Sequence, residues 1–256
     1  MINKNTTSIF QNLLNDFQTL SLDELDKVKL LDRKDTKFVF NQNQLPSILE
    51  KIKPYYRILE INNSPIFNYD NIYFDTHDFL FYNQHHNEHR QRFKVRYRKY
   101  SSSKSFFEIK IKNNKNRTVK TRMLVNEMNE VLGEKEKNLV SEIIGLPPNQ
   151  LSPMLNIQFT RITLADHSFS ERLTIDTNLS VKNGTGSKIF NQLVISEIKQ
   201  EKYNPKSDFI QILRNLKIPE MRFSKYCMGM LHVNKRIKYN RFKPKLLQIN
   251  KILTQV

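Results

Sequence analysis

The stretch Arg92-Phe-Lys-Val-Arg-Tyr-Arg98 decides the fold. Arg92, Lys94, Arg96 and Arg98 fall on alternate positions, and Phe93, Val95 and Tyr97 fill the others. A period of two is a β-strand with one face on an apolar layer. The pattern recurs at once. Phe106-Phe-Glu-Ile-Lys-Ile-Lys112 sets Glu108, Lys110 and Lys112 opposite Phe107, Ile109 and Ile111. Thr118-Val-Lys-Thr-Arg-Met-Leu124 sets Lys120 and Arg122 on a face with Thr118. Three successive strands thus each present cations. Side by side in one sheet, like charges repel unless anions or water lie between them. Surfaces normally mix signs. Three strands in a row are therefore better explained by a cation-lined cavity that a polyanion fills than by a solvated outer face.

The rest of the chain agrees with that reading. Its 256 residues hold 42 Lys+Arg against 25 Asp+Glu, a formal charge of +17. The segment from Glu88 to Arg122 alone has 13 Lys/Arg opposed only by Glu88 and Glu108. A second basic cluster, from Arg222 to Lys245, is opposed by Glu220. The surplus argues for an anionic partner without naming it. At 38% hydrophobic and 11% aromatic residues the chain can bury a core, which excludes wholesale disorder. Its five glycines form neither G-x-G-x-x-G nor G-x-x-x-x-G-K-[ST], and Gly184-Thr-Gly-Ser-Lys188 reads as a hairpin turn. A single cysteine, Cys227, excludes a disulfide framework and a multi-cysteine zinc site, and a reducing compartment is expected. Apolar runs are too short to span a bilayer, and Met1-Ile-Asn-Lys-Asn-Thr-Thr-Ser8 carries no signal-peptide segment. The expectation is a cytoplasmic protein, peripheral at the inner face of a membrane if it meets one.

A coarse pass predicts helices at 6–20, from the Ser21-Leu-Asp-Glu24 capping box to about Lys29, and at 45–53, 134–144, 206–216 and 225–235. Strands are expected at 36–40, 55–60, 68–74, 155–164, 170–176 and 192–199, besides the three basic ones. That makes an α+β fold, most economically a closed antiparallel β-barrel with peripheral helices. Charged alternate positions imply an open, wet lumen. On the later strands, Arg161 shares a face with Phe159, and Glu197 and Lys199 share one with Ile195. A carboxylate among cations is either an ion-pair partner or a ligand for a hard divalent cation.

Eight strings, in order, resemble the VTC-type polyphosphate polymerase domain, a branch of the triphosphate tunnel metalloenzymes. They are Arg33-Lys-Asp-Thr-Lys-Phe38, Tyr73-Phe-Asp-Thr76, Lys94-Val-Arg-Tyr-Arg98, Phe107-Glu-Ile-Lys110, Phe159-Thr-Arg161, Arg172-Leu-Thr-Ile-Asp176, Ser196-Glu-Ile-Lys199 and Phe223-Ser-Lys-Tyr226. The resemblance implies an antiparallel tunnel over 31–245, with an N-terminal helical segment at 1–30 and a C-terminal tail at 246–256. It implies Lys37, Arg96, Arg98, Lys110, Arg161 and Lys225 as catalytic residues. It implies Lys112, Lys120, Arg172, Lys199, Arg222 and Ser224 as substrate-binding residues, and Glu197 as the ligand of Mn²⁺ or Mg²⁺. The implied reaction transfers the terminal phosphate of ATP or another nucleoside triphosphate to inorganic polyphosphate. A separate membrane protein is the further partner, and no nucleic acid is expected.

The sequence also departs from the family pattern. Asp35 stands where the first strand usually has Glu. Arg33 replaces the first acid of the hydrolytic relatives' E-x-E-x-K. Phe159 stands where tyrosine is common, and Lys112 where polymerases often have His. A triphosphatase and a non-catalytic polyphosphate or nucleotide sensor remain the alternatives. Among His77, His85, His86 and His89, His86 resembles a family position just before the basic strand, with a phosphate-facing or structural role. Asp176 reads as a turn or ion-pair residue. Cys227 reads as a buried, inert thiol.

Overall fold

The computed structural model describes residues 12–26, 28, 33–101, 104–114 and 117–254. The elements in chain order are β1 (Thr19–Leu20), α1 (Leu22–Leu25), β2 (Lys34–Asn41), α2 (Leu45–Ile52), β3 (Tyr56–Leu59), β4 (Phe67–Thr76), α3 (Leu80–His86), β5 (Arg92–Tyr100), β6 (Ser105–Lys112), β7 (Thr118–Val125), α4 (Glu134–Ile144), β8 (Leu151–Asp166), β9 (Glu171–Asn183), β10 (Gly186–Phe190), β11 (Leu193–Gln200), α5 (Asp208–Asn215), α6 (Lys225–Val233) and α7 (Lys243–Leu253). The strands form a sheet in the order β2-β11-β9-β8-β4-β5-β6-β7. Every neighbouring pair on this path is antiparallel. The fold is α+β, as the alternation predicts.

The expected hydrogen-bonded closure is absent: among the described residues β2 and β7 do not pair. Residues 220–221 cover the free edge of β2 instead, with Phe38 bridged to Glu220 and the Met221 amide donating to the Lys37 carbonyl at 2.8 Å. β7 ends the sheet with much of its length exposed, Val119 and Leu124 included.

Two apolar layers cover the outside of the sheet. Phe38, Phe40, Ile162, Leu164, Leu173 and Ile175 pack with α2 and α5 through Ile48, Leu49, Phe209 and Leu213. Val95, Tyr97, Phe107 and Ile109 pack with Val140 of α4. The odd-even alternation of β5 and β6 is thereby explained: the apolar half is an outer core, and the charged half faces inward. The interior is not wholly wet. At one end Val39, Leu155, Ile157, Val181 and Ile195 form a third core with Tyr226, Cys227 and Met228 of α6. Gly229 permits that close approach. A Cβ there would lie 2.6 Å from Leu155 Cδ2 and 2.9 Å from Val181 Cγ1, far inside van der Waals contact.

The N-terminal expectation needs correction. Residues 6–11 of the expected helix lie outside the described residues and 12–15 are helical as expected, but Thr19–Leu20 at its other end is a strand pairing parallel with β3. The capping box is present: Ser21 Oγ accepts from the Glu24 amide, and Glu24 accepts from the Ser21 amide. Its helix ends at Leu25; Lys29 lies outside the described residues. The Gly184–Lys188 stretch does turn a hairpin, with Gly186 opposite Asn183. Residues 246–253 belong to α7, which buries Ile249. No described helix is long and apolar enough to cross a membrane.

Candidate active site

Cross-strand register assembles the site. Tyr73, Arg96, Glu108 and Arg122 lie in one row across β4, β5, β6 and β7, and Lys94, Lys110 and Lys120 form the next. On the other flank Thr174, Glu197 and Lys37 form a row across β9, β11 and β2, beside Arg172, Lys199 and Asp35. Arg161 on β8 faces Asp176 on β9. The two flanks also feel each other. Lys110 on β6 helps to hold the Asp35 carboxyl of β2 below its ordinary range, with Lys199, Lys37 and Arg33, against the opposing effect of burial. Burial chiefly lowers Lys94 on β5, and the charge of Lys37 on β2 lowers it further. Strands far apart in the sheet order thus face one another across a common interior.

Inside, each carboxylate sits between two cations. Glu108 is fully buried; it accepts from Arg96 Nε at 2.8 Å and Nη2 at 2.5 Å, and pairs with Lys120. Burial alone would raise its pKa, but Arg96, Arg98 and Lys120 hold it far below the carboxylate range. Asp176 receives a two-pronged contact from Arg161, at 2.6 and 2.8 Å, and Lys225 Nζ at 2.5 Å. Those two cations overcome its burial in the same way. Glu197 pairs with both Lys37 and Lys199, and Lys199 Nζ also lies 3.5 Å from Asp35. Asp35 further meets Arg33 at 3.2 Å. Asp176 is therefore an ion-pair residue rather than a turn.

Other cations have no such partner. Among the described residues Arg98, Lys94, Lys110 and Arg172 make no ion pair. Arg98 Nε instead donates to Asn71 Oδ1 at 2.8 Å. Burial, reinforced by Arg96 and Arg98, lowers Lys110 to about 6. Burial lowers Lys37 and Lys225 to about 8 each, with Asp35 and Asp176 respectively opposing the shift. Arg172 is lowered by burial, Arg33 and Arg161. A buried, uncompensated ammonium is costly, and a polyanion removes the cost.

Lys112 and Arg222 stand apart from these ion pairs. Arg222 is exposed, though close enough for its charge to join burial and Arg92 in lowering Lys112. Ser224 is the N-cap of α6; its Oγ accepts from the Cys227 amide at 3.3 Å and so aims the helix that carries Lys225. His86 is structural: its ring packs edge-on against Phe242 at 5.2 Å, and its Nε2 accepts from the Arg241 amide. Its neighbour His85 lies near the tunnel cations. Burial, then Lys94 and Arg92, lower it to about 3, so it is neutral. Cys227 is buried and pushed up to about 11, an inert thiol.

Three contributors were given no role in the sequence reading, although Tyr73 and Asp75 lie in the matched string Tyr73-Phe-Asp-Thr76. The Tyr73 hydroxyl accepts from Arg96 Nη1 at 2.8 Å, and its ring stacks on Tyr226 at 5.3 Å. Asn71, wholly buried, fixes Arg98. Asp75 accepts from the amides of Thr76, Phe81 and Tyr82 and from the Tyr226 hydroxyl, tying β4 to α3 and α6. Tyr69, Asn71 and Tyr73 fall at period two on β4, which was the available signal.

Among the described residues no group of three or more His, Cys, Asp or Glu could hold a metal. Glu197 and Asp35, however, flank the one Lys199 ammonium. Two hard oxygen donors are too few for a protein-only cage. They suit a divalent cation that completes its shell with phosphate oxygens and water.

The antiparallel sheet thus brings paired and unpaired cations together on one interior face. The family model of the VTC domain matches residues 32–234, and the chain belongs to that family. Among solved structures, a putative adenylate cyclase from Bacillus halodurans matches at 14% identity with TM-score 0.49, covering 83% of this chain and 97% of its own. An inorganic triphosphatase matches at 9% identity with TM-score 0.29, covering 77% of this chain and 94% of its own. No curated protein matches the chain.

Proposed function

We propose that this protein is a metal-dependent polyphosphate polymerase, moving the terminal phosphate of ATP or another nucleoside triphosphate onto a polyphosphate end. The observation that carries this reading is the convergence of Lys37, Arg96, Arg98, Lys110, Lys120, Arg161, Arg172, Lys199 and Lys225 on one interior, four-stranded flank facing four-stranded flank. Phosphoryl transfer asks a protein mainly for alignment and positive charge. Arg98, Lys110 and Arg172, free of carboxylates, take the incoming phosphates. Arg96, Arg161 and Lys225, held by Glu108 and Asp176, keep the flanks in place while a phosphate oxygen attacks. No side-chain nucleophile is needed. Glu197, with Asp35 beside it, would hold the Mn²⁺ or Mg²⁺ ion, and the ion would supply Lewis-acid polarisation. The pairing of Asp35 with Arg33 disfavours the two-carboxylate cradle of a triphosphatase. The proposed setting is cytoplasmic, at the inner face of a membrane, with a separate membrane protein as partner.

Purified protein given ATP and Mn²⁺ is expected to build chains that resist nuclease and yield to exopolyphosphatase. Release of phosphate alone makes it a triphosphatase. A second reading, a polyphosphate-binding module without turnover, draws on the sealing of Glu197 by Lys37 and Lys199. Tight polyphosphate binding with neither product establishes it.

A further inference from the structure

We infer that an outward-facing basic platform, formed by the loop 235–242 and the exposed side of α7, docks on a bilayer that carries anionic phospholipid. The inference is independent of the tunnel chemistry, and it gives the proposed membrane setting a physical contact. It starts from charge. From Met221 to Val256 the sequence has no Asp or Glu. Lys235, Arg236, Lys238, Arg241 and Lys243 are all exposed, and among the described residues none of them makes an ion pair. The platform is fixed rather than loose. Ile237 and Phe242 anchor it in the core. The Tyr82 hydroxyl of α3 donates to the Lys238 carbonyl at 2.6 Å, and Arg241 Nη1 donates to the Asn87 carbonyl at 3.1 Å. Lys235, Arg236 and Lys238 border a cleft of about 490 Å³, lined also by Phe79, Asn83 and Tyr239, which has room for a phosphate headgroup.

Apolar groups stand among these cations. On α7, Lys243, Leu247 and Lys251 follow one another at intervals of four residues and so share one side of the helix, and all three are exposed. The opposite side buries Ile249 and packs Leu246, Ile252 and Leu253 on the core. Leu247 is 71% exposed and Tyr239 45%, and Lys243 Nζ lies 5.2 Å from the Tyr239 ring. A single exposed leucine is ordinary. A leucine and an aromatic ring beside unpaired cations make a surface suited to a headgroup layer, where the charges meet lipid phosphates and the apolar groups leave water. A soluble polyanion such as RNA would draw on the cations alone.

The test is sedimentation with vesicles at physiological salt, comparing mixed phosphatidylcholine and phosphatidylserine with phosphatidylcholine alone. Wild type is expected to bind the anionic vesicles and not the neutral ones. Lys235→Gln/Arg236→Gln/Lys238→Gln/Lys243→Gln should weaken that binding about five-fold for each cation removed. Lys51→Gln/Lys202→Gln/Lys206→Gln/Lys217→Gln lowers the net charge equally at exposed positions beside α2 and α5, and should keep most of the binding. Tyr239→Ser/Leu247→Ser, with every charge intact, should lose about ten-fold on vesicles and nothing on duplex RNA. Leu247→Ser alone serves should the paired variant fail to fold. Equal wild-type binding to both kinds of vesicle, or equal losses in the two charge-neutralised variants, overturns the platform. Wild-type vesicle affinity in the variants without the apolar groups overturns it too, and assigns the cations to a soluble polyanion. Tripolyphosphate should bind all these proteins alike. Its failure to bind wild type overturns the tunnel reading and leaves this inference standing.

Discussion

The flank built from β2, β11, β9 and β8 and the flank built from β4, β5, β6 and β7 carry similar side chains in different electrical states. On the first, Lys37, Lys199 and Arg161 touch a carboxylate, as does Lys225 of α6, and Arg172 of β9 is the exception among the described tunnel cations of this flank. On the second, Glu108 serves Arg96 and Lys120, and leaves Arg98, Lys94 and Lys110 among like charges. The difference teaches that one flank is braced before any ligand arrives, whereas the other is completed by it. The sharpest way to break this comparison is within a single strand, at Arg96 and Arg98. Arg96→Ala leaves the buried Glu108 with Lys120 alone. Removing one partner of a buried ion pair costs about 3–5 kcal/mol, so denaturant melts should show a large loss of stability. Arg98→Ala removes no carboxylate partner. It should cost the melt less than Arg96→Ala does, about 1–3 kcal/mol for the buried Asn71 Oδ1 left without its donor, while costing about 1.5–3 kcal/mol of tripolyphosphate affinity, the scale of a charge-assisted hydrogen bond. Equal melts for the two variants would show that bracing and gripping are not divided as described.

Glu197 tests the braced flank. Glu197→Gln should lower turnover with ATP and Mn²⁺ by about 100-fold, the usual scale for loss of one preorganised electrostatic contact. Metal-free tripolyphosphate should bind the variant more tightly, because Lys37 and Lys199 lose the carboxylate that occupies them. Unchanged turnover removes Glu197 from the proposed chemistry. Unchanged metal-free affinity means that its two lysines do not reach substrate.

How much of this contrast was legible in the chain follows from what alternation encodes. Period two in Arg92–Arg98 and Phe106–Lys112 placed the strands and their two faces, because a pleated strand cannot hide both kinds of side chain on one side. Alternation in one strand does not say which half faces inward; three like-charged faces in succession did, because they repel unless an anion lies between them. Here the apolar half lies outside, under α4, and the charged half lines the interior. Pairing was illegible for a different reason: Glu108 and Asp176 acquire their partners from register and from α6, which are set by tertiary packing. α3 was missed because its start is built by tertiary contacts. Phe79 adopts φ 60°, and Asp75 supplies the cap from the preceding strand. The expected closure failed because an amphipathic pattern states which face a strand buries and not which strand ends the sheet.

Titration sharpens the comparison at the unbraced flank. Lys110 has a folded-state pKa of about 6 against an ordinary 10.5. The unfolded chain therefore binds more protons between those values, and unliganded stability should rise with pH from about 6 toward 10.5. Binding should run the other way. A bound phosphate raises the lysine's pKa, so complex formation takes up protons near neutral pH and affinity falls as pH increases. Calorimetry in two buffers of different ionisation enthalpy reads the uptake. Lys110→Met should flatten both profiles, raise unliganded stability by about 1 kcal/mol and weaken tripolyphosphate binding. A Lys110→Met variant that keeps wild-type proton uptake assigns the titration to Lys37 or Lys225 instead.

The smallest expected effect lies at Ser224, where bracing and gripping meet in one hydroxyl. Its oxygen accepts from the Cys227 amide, which caps α6 and sets the direction of Lys225 toward Asp176. In the proposed function its proton also goes to a phosphate oxygen. Ser224→Ala removes both, and the lost cap should cost about 1 kcal/mol of stability. Ser224→Asp keeps the acceptor and removes the donor, while adding a negative charge to the tunnel. If Ser224 only braces, Ser224→Asp should restore the melt and weaken tripolyphosphate through charge alone, an effect that fades at high salt because screening reaches about 3 Å at 1 M. If it also grips, Ser224→Ala should weaken tripolyphosphate at every salt concentration, to an extent the small change in stability does not account for.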